Sequence, residues 1–169
     1  MALSKANLNV TLHGLAKRYA ELAQQILGDH LVSMALYGSV ARGQAGPRSD
    51  IDLFVMLADA PAGMFRRRAL LEPVRERVTP ELEALWSQGI YADFVEVIRT
   101  RQEALEFHPL YLDMSVDAKL LFDRDGFLEE ILERVREKLQ AMGAQRRALG
   151  TSWYWELKKE FKPGEVIQL

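Results

Sequence analysis

Two short segments of this chain carry residues whose types and spacing could do chemistry. Gly38-Ser39 closes an apolar run, Leu31 to Tyr37. After ten intervening residues a second apolar run opens with Asp50-Ile51-Asp52. Side chains alternate across a strand, so Asp50 and Asp52 point to the same face, roughly 6–7 Å apart along the chain. Two bare carboxylates on one face repel each other. Mg²⁺ relieves this, because it prefers carboxylate oxygens and binds through one or two of them plus substrate phosphates. Two such ions, about 3.5–4 Å apart, could flank an in-line displacement at phosphorus. Gly38 lets a ligand approach the backbone closely. A short helix opening at Ser39 would turn its hydroxyl and free amides toward phosphate oxygens. Arg42, one turn further on, adds charge for the same phosphates. Gly43 and Gly46 are expected to let the following loop swing.

A third acidic group should come from a neighbouring strand. Asp93 and Glu96 are three apart in the run Tyr91 to Ile98 (YADFVEVI), which places them on opposite faces. Asp93 lies near the strand start, as Asp50 and Asp52 do in theirs, and is preferred; Glu96 is the alternative.

The elements that must position these groups follow from periodicity. Leu8, Leu12, Leu15, Tyr19, Leu22 and Ile26 form one helical stripe, with Gly28 placed to end it. Residues 62–86 read as helix in two pieces, with Pro73 as a divider and Thr79-Pro80 as a cap and first helical position. Thr100 with Glu103 fits a capping box. Pro109 to Val116 gives one or two helical turns, and 118–122 a fourth strand. Phe127 to Met142 is a long amphipathic helix ended by Gly143. The fold class expected is therefore α/β (α+β), a small mixed β-sheet flanked by helices with a C-terminal helix and tail. The expected organisation is one domain over residues 1–149. An aromatic and basic tail over 150–169 would dock on the same domain or on a second subunit.

Composition bounds the rest. The chain has 169 residues and no cysteine, which excludes a thiolate metal site and a cysteine nucleophile and fits a reducing cytoplasm. The net charge of −2 provides no general attraction to nucleic acid. No apolar run reaches the ~20 residues of a membrane span, and MALSKANLNV lacks a signal-type apolar region, so a cytoplasmic location is expected. His13, His30 and His108 are isolated. Arg66, Arg67 and Arg68 read as a solvated helix face.

Gly38-Ser39, ten residues, then Asp50-x-Asp52, within LYGSVARG and SDIDLFV, resembles the signature of the DNA polymerase beta-like nucleotidyltransferase superfamily, in its minimal nucleotidyltransferase form. No P-loop pattern occurs. The resemblance implies a nucleotidyltransferase fold. It also implies transfer of a nucleoside monophosphate, AMP above all, from an NTP to an acceptor hydroxyl. By the same resemblance Gly38 and Ser39 grip the triphosphate, Asp50 and Asp52 hold Mg²⁺, and Asp93 completes the carboxylate set. The partner implied is a small helical HEPN-type toxin, with this chain as its antitoxin; a homo-oligomer is a further expectation. The alternative is a non-catalytic nucleotide-binding module that neutralises a partner by direct binding.

Overall fold

The computed structural model describes residues 4–150 and 152–158; the expectation for the tail over 150–169 lies outside these residues at 151 and 159–169. Helix α1 (Lys5–Leu27) starts where the Ser4 hydroxyl accepts the Asn7 amide and ends at Gly28, whose φ of +54° suits glycine. Strand β1 (Leu31–Tyr37) runs into the one-turn helix α2 (Gly38–Ala41), and β2 (Ile51–Leu57) follows the loop. Next come α3 (Met64–Ala69), α4 (Glu72–Trp86) and β3 (Phe94–Thr100). The order closes with α5 (Leu110–Asp117), β4 (Lys119–Asp123), α6 (Phe127–Met142) and the hairpin β5 (Gln145–Leu149) and β6 (Ser152–Glu156).

The main sheet has the order β3-β2-β1-β4. Strands β2 and β3 are parallel, and the other pairs are antiparallel. A parallel pair needs a crossover, and α3 with α4 supplies it. One sheet face packs on α1 and α4 through Met34, Leu36, Leu53, Val55 and Phe94. The other packs on α5 and α6 through Val32, Ala35, Phe54 and Met56. On α6, Leu128, Ile131, Leu132, Val135 and Leu139 are buried, each contributing about 1.5–3 kcal/mol of apolar transfer.

Two local expectations are corrected. Thr79-Pro80 does not start a helix: it lies inside α4, where the Thr79 hydroxyl donates to the Arg75 carbonyl. The buried stripe Val74, Val78, Leu82 and Leu85 runs straight through it, and that packing outweighs the one backbone bond proline forgoes. The third strand begins at Phe94, not Tyr91, so Asp93 stands just before it. The capping box is formed. The Thr100 hydroxyl accepts the Glu103 amide at 3.1 Å, and the Glu103 carboxylate accepts the Thr100 amide at 3.0 Å.

The hairpin straddles residues 149 and 150 and carries Trp155 and Leu157 against the second core. The indole N–H groups of Trp153 and Trp155 both donate to Asp113 of α5, at 2.9 and 3.0 Å. No helix among the described residues is long and apolar enough to cross a membrane.

Candidate active site

Strand register assembles the centre. Tyr37 pairs with Asp52 across β1 and β2, so the bend that follows Tyr37 is set against that carboxylate. Gly38 has a φ of +70°, a conformation other residues adopt only with strain. An ideal Cβ on Gly38 would lie 2.9 Å from Cγ of Asp52 and nearer still to one of its oxygens. Glycine is therefore required twice here, by backbone angle and by space. The loop beyond is tied at two points in this conformation. Ala45 is buried and its amide donates to Asn9 Oδ1 at 3.0 Å, while the Tyr91 amide donates to the Pro47 carbonyl at 2.7 Å.

Asp52 lies at the uncovered end of the sheet face that carries Phe54 and Met56. Burial and then the negative charge of Asp50 push its carboxyl up from 3.8 to about 6, against the opposing pull of Arg42. The same crowding reaches Tyr37, whose phenol is pushed up to about 12 by burial and by Asp52. Two carboxylates, one exposed and one half-buried, press on each other at this end of the sheet. Oxygen donors in this arrangement fit a hard divalent cation whose remaining ligands come from substrate phosphate and water. Among the described residues no group of three acidic, histidine or cysteine side chains is placed to hold a metal.

The reason lies at Asp93. Its backbone carbonyl accepts the Ile51 amide at 2.8 Å, which brings it beside the start of β2. Its carboxylate is turned away: it accepts the Phe94 amide at 2.7 Å and the Arg75 guanidinium at 3.0 Å. Arg75 also donates to the Phe94 carbonyl and to Glu96. Glu96, the alternative third ligand, lies on the opposite sheet face with its side chain fully buried. There it accepts from Tyr19 at 3.0 Å and from Arg75, and Arg68 stands 3.7 Å away. Glu96 serves the core between α1 and α4, and burial with its charge pushes the Tyr19 phenol upward.

Arg42 also has partners that its spacing did not foretell. Its guanidinium stands 4.4 Å over the Trp153 ring and 3.7 Å from Asp117. Of the basic run, Arg67 makes a two-pronged pair with Glu103, both contacts 2.7 Å, while Arg66 is exposed. The structure therefore sets Gly38 against Asp52, with Asp50 close enough to act on the Asp52 carboxyl and Ser39 next to Gly38 at the start of α2. It places Arg42 at their flank and holds the Asp93 side chain apart. Tyr37 and Arg75 were overlooked in the sequence: Tyr37 was legible as the residue before the bend, whereas nothing local marks Arg75.

Comparison with known proteins follows the same outline. The model of a family described as nucleotidyltransferase domain matches residues 16–142. A Methanocaldococcus jannaschii protein named "Putative protein adenylyltransferase MJ1305" is 29% identical over 125 residues, covering 74% of this chain and 81% of that protein. Among solved structures, a toxin-antitoxin with AMP-PNP is 19% identical, with a TM-score of 0.45 over 72% of this chain and 87% of that chain. A tri-AMPylated Shewanella oneidensis HEPN toxin in complex with MNT antitoxin gives 16% identity and a TM-score of 0.42, over 77% and 90% respectively.

Proposed function

Because the chain belongs to the nucleotidyltransferase domain family, we propose that it transfers AMP from ATP to a hydroxyl on a partner protein in a Mg²⁺-dependent reaction. The acceptor oxygen forms a bond to the α-phosphorus, the bond from that phosphorus to the β-bridging oxygen breaks, pyrophosphate leaves, and the acceptor proton is lost to a base. The observation that carries this reading is the contact between Gly38 and Asp52, which sets a bare bend against a crowded pair of carboxylates. A polyphosphate on the bend would present its reacting phosphorus to those carboxylates.

In this reading Gly38 and Ser39 hold the triphosphate, and Arg42 faces its outer phosphates. Asp50 and Asp52 would hold Mg²⁺, which supplies neutralising charge and an in-line arrangement when bound. Asp93 completes the carboxylate set once its pair with Arg75 opens; its backbone already stands beside Ile51. The protein's own work is positioning and electrostatic stabilisation. The name of the M. jannaschii relative supports AMP as the group and protein as the acceptor. The partner we propose is a small helical HEPN-type toxin in the cytoplasm, with this chain as its antitoxin.

The test is to incubate the chain with ATP labelled at the α-phosphate, Mg²⁺ and the helical partner, and to read intact mass. Wild type should add AMP to the partner, and Asp52→Ala should not. Neutralisation without an adduct, by wild type and Asp52→Ala alike, would overturn transfer in favour of a binding module.

A further inference from the structure

Beside the bend, on the side away from the aspartates, lies a cavity of about 560 Å³ walled by Arg42, Asp117, Lys119, Arg146 and Trp153. Register fixes its place: Leu36 pairs with Lys119 of β4, and the next residue, Tyr37, pairs with Asp52 of β2. Lys119 and Asp52 thus flank the strand end that leads into Gly38, one on each side. We propose that this cavity is an anion subsite. In it Arg146 and Lys119, with Arg42, take the β- and γ-phosphates of the nucleoside triphosphate and then the departing pyrophosphate. The proposal rests on the nucleotidyl-transfer reading above and adds residues from beyond the family match, which ends at residue 142.

The cations are held ready. The Arg42 and Arg146 guanidiniums lie 4.4 and 3.9 Å from the same Trp153 ring, and the indole is anchored by Asp113. Asp117 accepts from Arg146 at 2.7 Å and lies 3.7 Å from Arg42, so one carboxylate ties the two guanidiniums together. Asp113 stands 3.5 Å from Arg146 but already accepts two indole N–H groups. Arg146 Nε is buried and has no hydrogen-bond partner among the described residues. Lys119 is exposed at the rim. Three cations stand against two carboxylates, Asp117 in the wall and Asp113 beside Arg146, which leaves one net positive charge, and little rotamer freedom is lost when guanidiniums so braced meet an anion.

The chemistry gives the direction. The reacting phosphorus must sit at Asp50 and Asp52, and a polyphosphate crossing the Gly38 bend from there runs toward Arg42 and the cavity. Negative charge builds on the leaving pyrophosphate as its bond to the α-phosphorus breaks, and fixed cations stabilise that charge where it develops. AMP, which lacks those phosphates, would not reach the cavity.

Calorimetric titration of the full chain with sodium pyrophosphate, ATP and AMP tests this. Arg146→Gln and Lys119→Gln should each weaken pyrophosphate and ATP about tenfold and leave AMP within about twofold. Lys119→Gln guards against misfolding of the Arg146 variant, because Lys119 is exposed. Failure of wild type to bind pyrophosphate, or unchanged pyrophosphate affinity in Lys119→Gln, overturns the subsite. Pyrophosphate binding without Mg²⁺ that survives Asp52→Asn, alongside no transfer by wild type, would overturn the nucleotidyl-transfer reading while leaving an anion site in place.

Discussion

Gly38 and Asp52 are in direct contact: the glycine α-carbon faces the carboxylate so closely that a methyl group at residue 38 would lie 2.9 Å from Asp52 Cγ. The contact joins the two halves of the motif physically, because antiparallel pairing of Tyr37 with Asp52 leaves no gap between bend and acid. Gly38→Ala should therefore cost about 1–2 kcal/mol from the left-handed backbone alone. It should also push the Asp52 carboxylate aside and abolish Mg²⁺-dependent ATP binding. Urea unfolding and ATP titration measure the two effects; an alanine variant with native ATP affinity would contradict the contact's role.

Asp52 is held in an unfavourable ionisation state. Its carboxyl is pushed up to about 6, so ionisation opposes folding. A raised carboxyl costs nothing below the ordinary 3.8, costs progressively more between there and about 6, and exerts its full cost above. Asp52→Asn should accordingly stabilise the fold at pH 7.5 by about 1–2 kcal/mol, discounting for partial exposure, and by nothing at pH 4. Saturating Mg²⁺ should narrow the difference at pH 7.5. Thermal unfolding at the two pH values, with and without Mg²⁺, is the measurement.

Arg75 links the core to the site margin through Glu96 and Asp93. Arg75→Met leaves the fully buried Glu96 side chain with the Tyr19 hydroxyl and a distant Arg68. A loss of about 3–5 kcal/mol is expected in urea unfolding. Adding Glu96→Gln should recover part of it, because the uncompensated charge is then gone. Equal stability of the single and double variants would show that Glu96 does not carry the loss.

Glu103 behaves in the opposite sense to Asp52. Hydrogen bonds from Arg67 first, and then from the Thr100 amide, hold its carboxyl down at about 2. A lowered carboxyl contributes stability that is complete above its ordinary 4.5 and is lost as pH falls toward about 2. Glu103→Gln should cost about 1 kcal/mol at pH 7, allowing for solvent screening, and the gap should shrink at pH 3. Chemical denaturation at both pH values checks the slope.

Much of the fold was legible because its signals are local. Gly28 and Gly143 end helices α1 and α6 through bonds and angles within a turn of the helix ends. The capping box of Thr100 and Glu103 is local in the same way. Thr79-Pro80 misled for the same reason: its local cap signal was real, but four buried side chains spaced along α4 outweighed it.

The sequence by itself determined the bend and the strand start that faces it, with Asp50 just before β2 and Asp52 within it. A ten-residue connection between pairing strands leaves Asp52 little choice. Tertiary structure alone decided where the other charges went. Asp93 could face its fellow aspartates or a cation, and α4 places Arg75 within 3.0 Å of it. Glu96 could be solvated, but Tyr19 and Arg75, from two helices, enclose it. Arg42 could reach over the bend, but the hairpin lays Trp153 beneath it. Periodicity fixes the face on which a charge stands; the partner it finds there comes from segments distant in sequence, brought within Coulombic range only by packing.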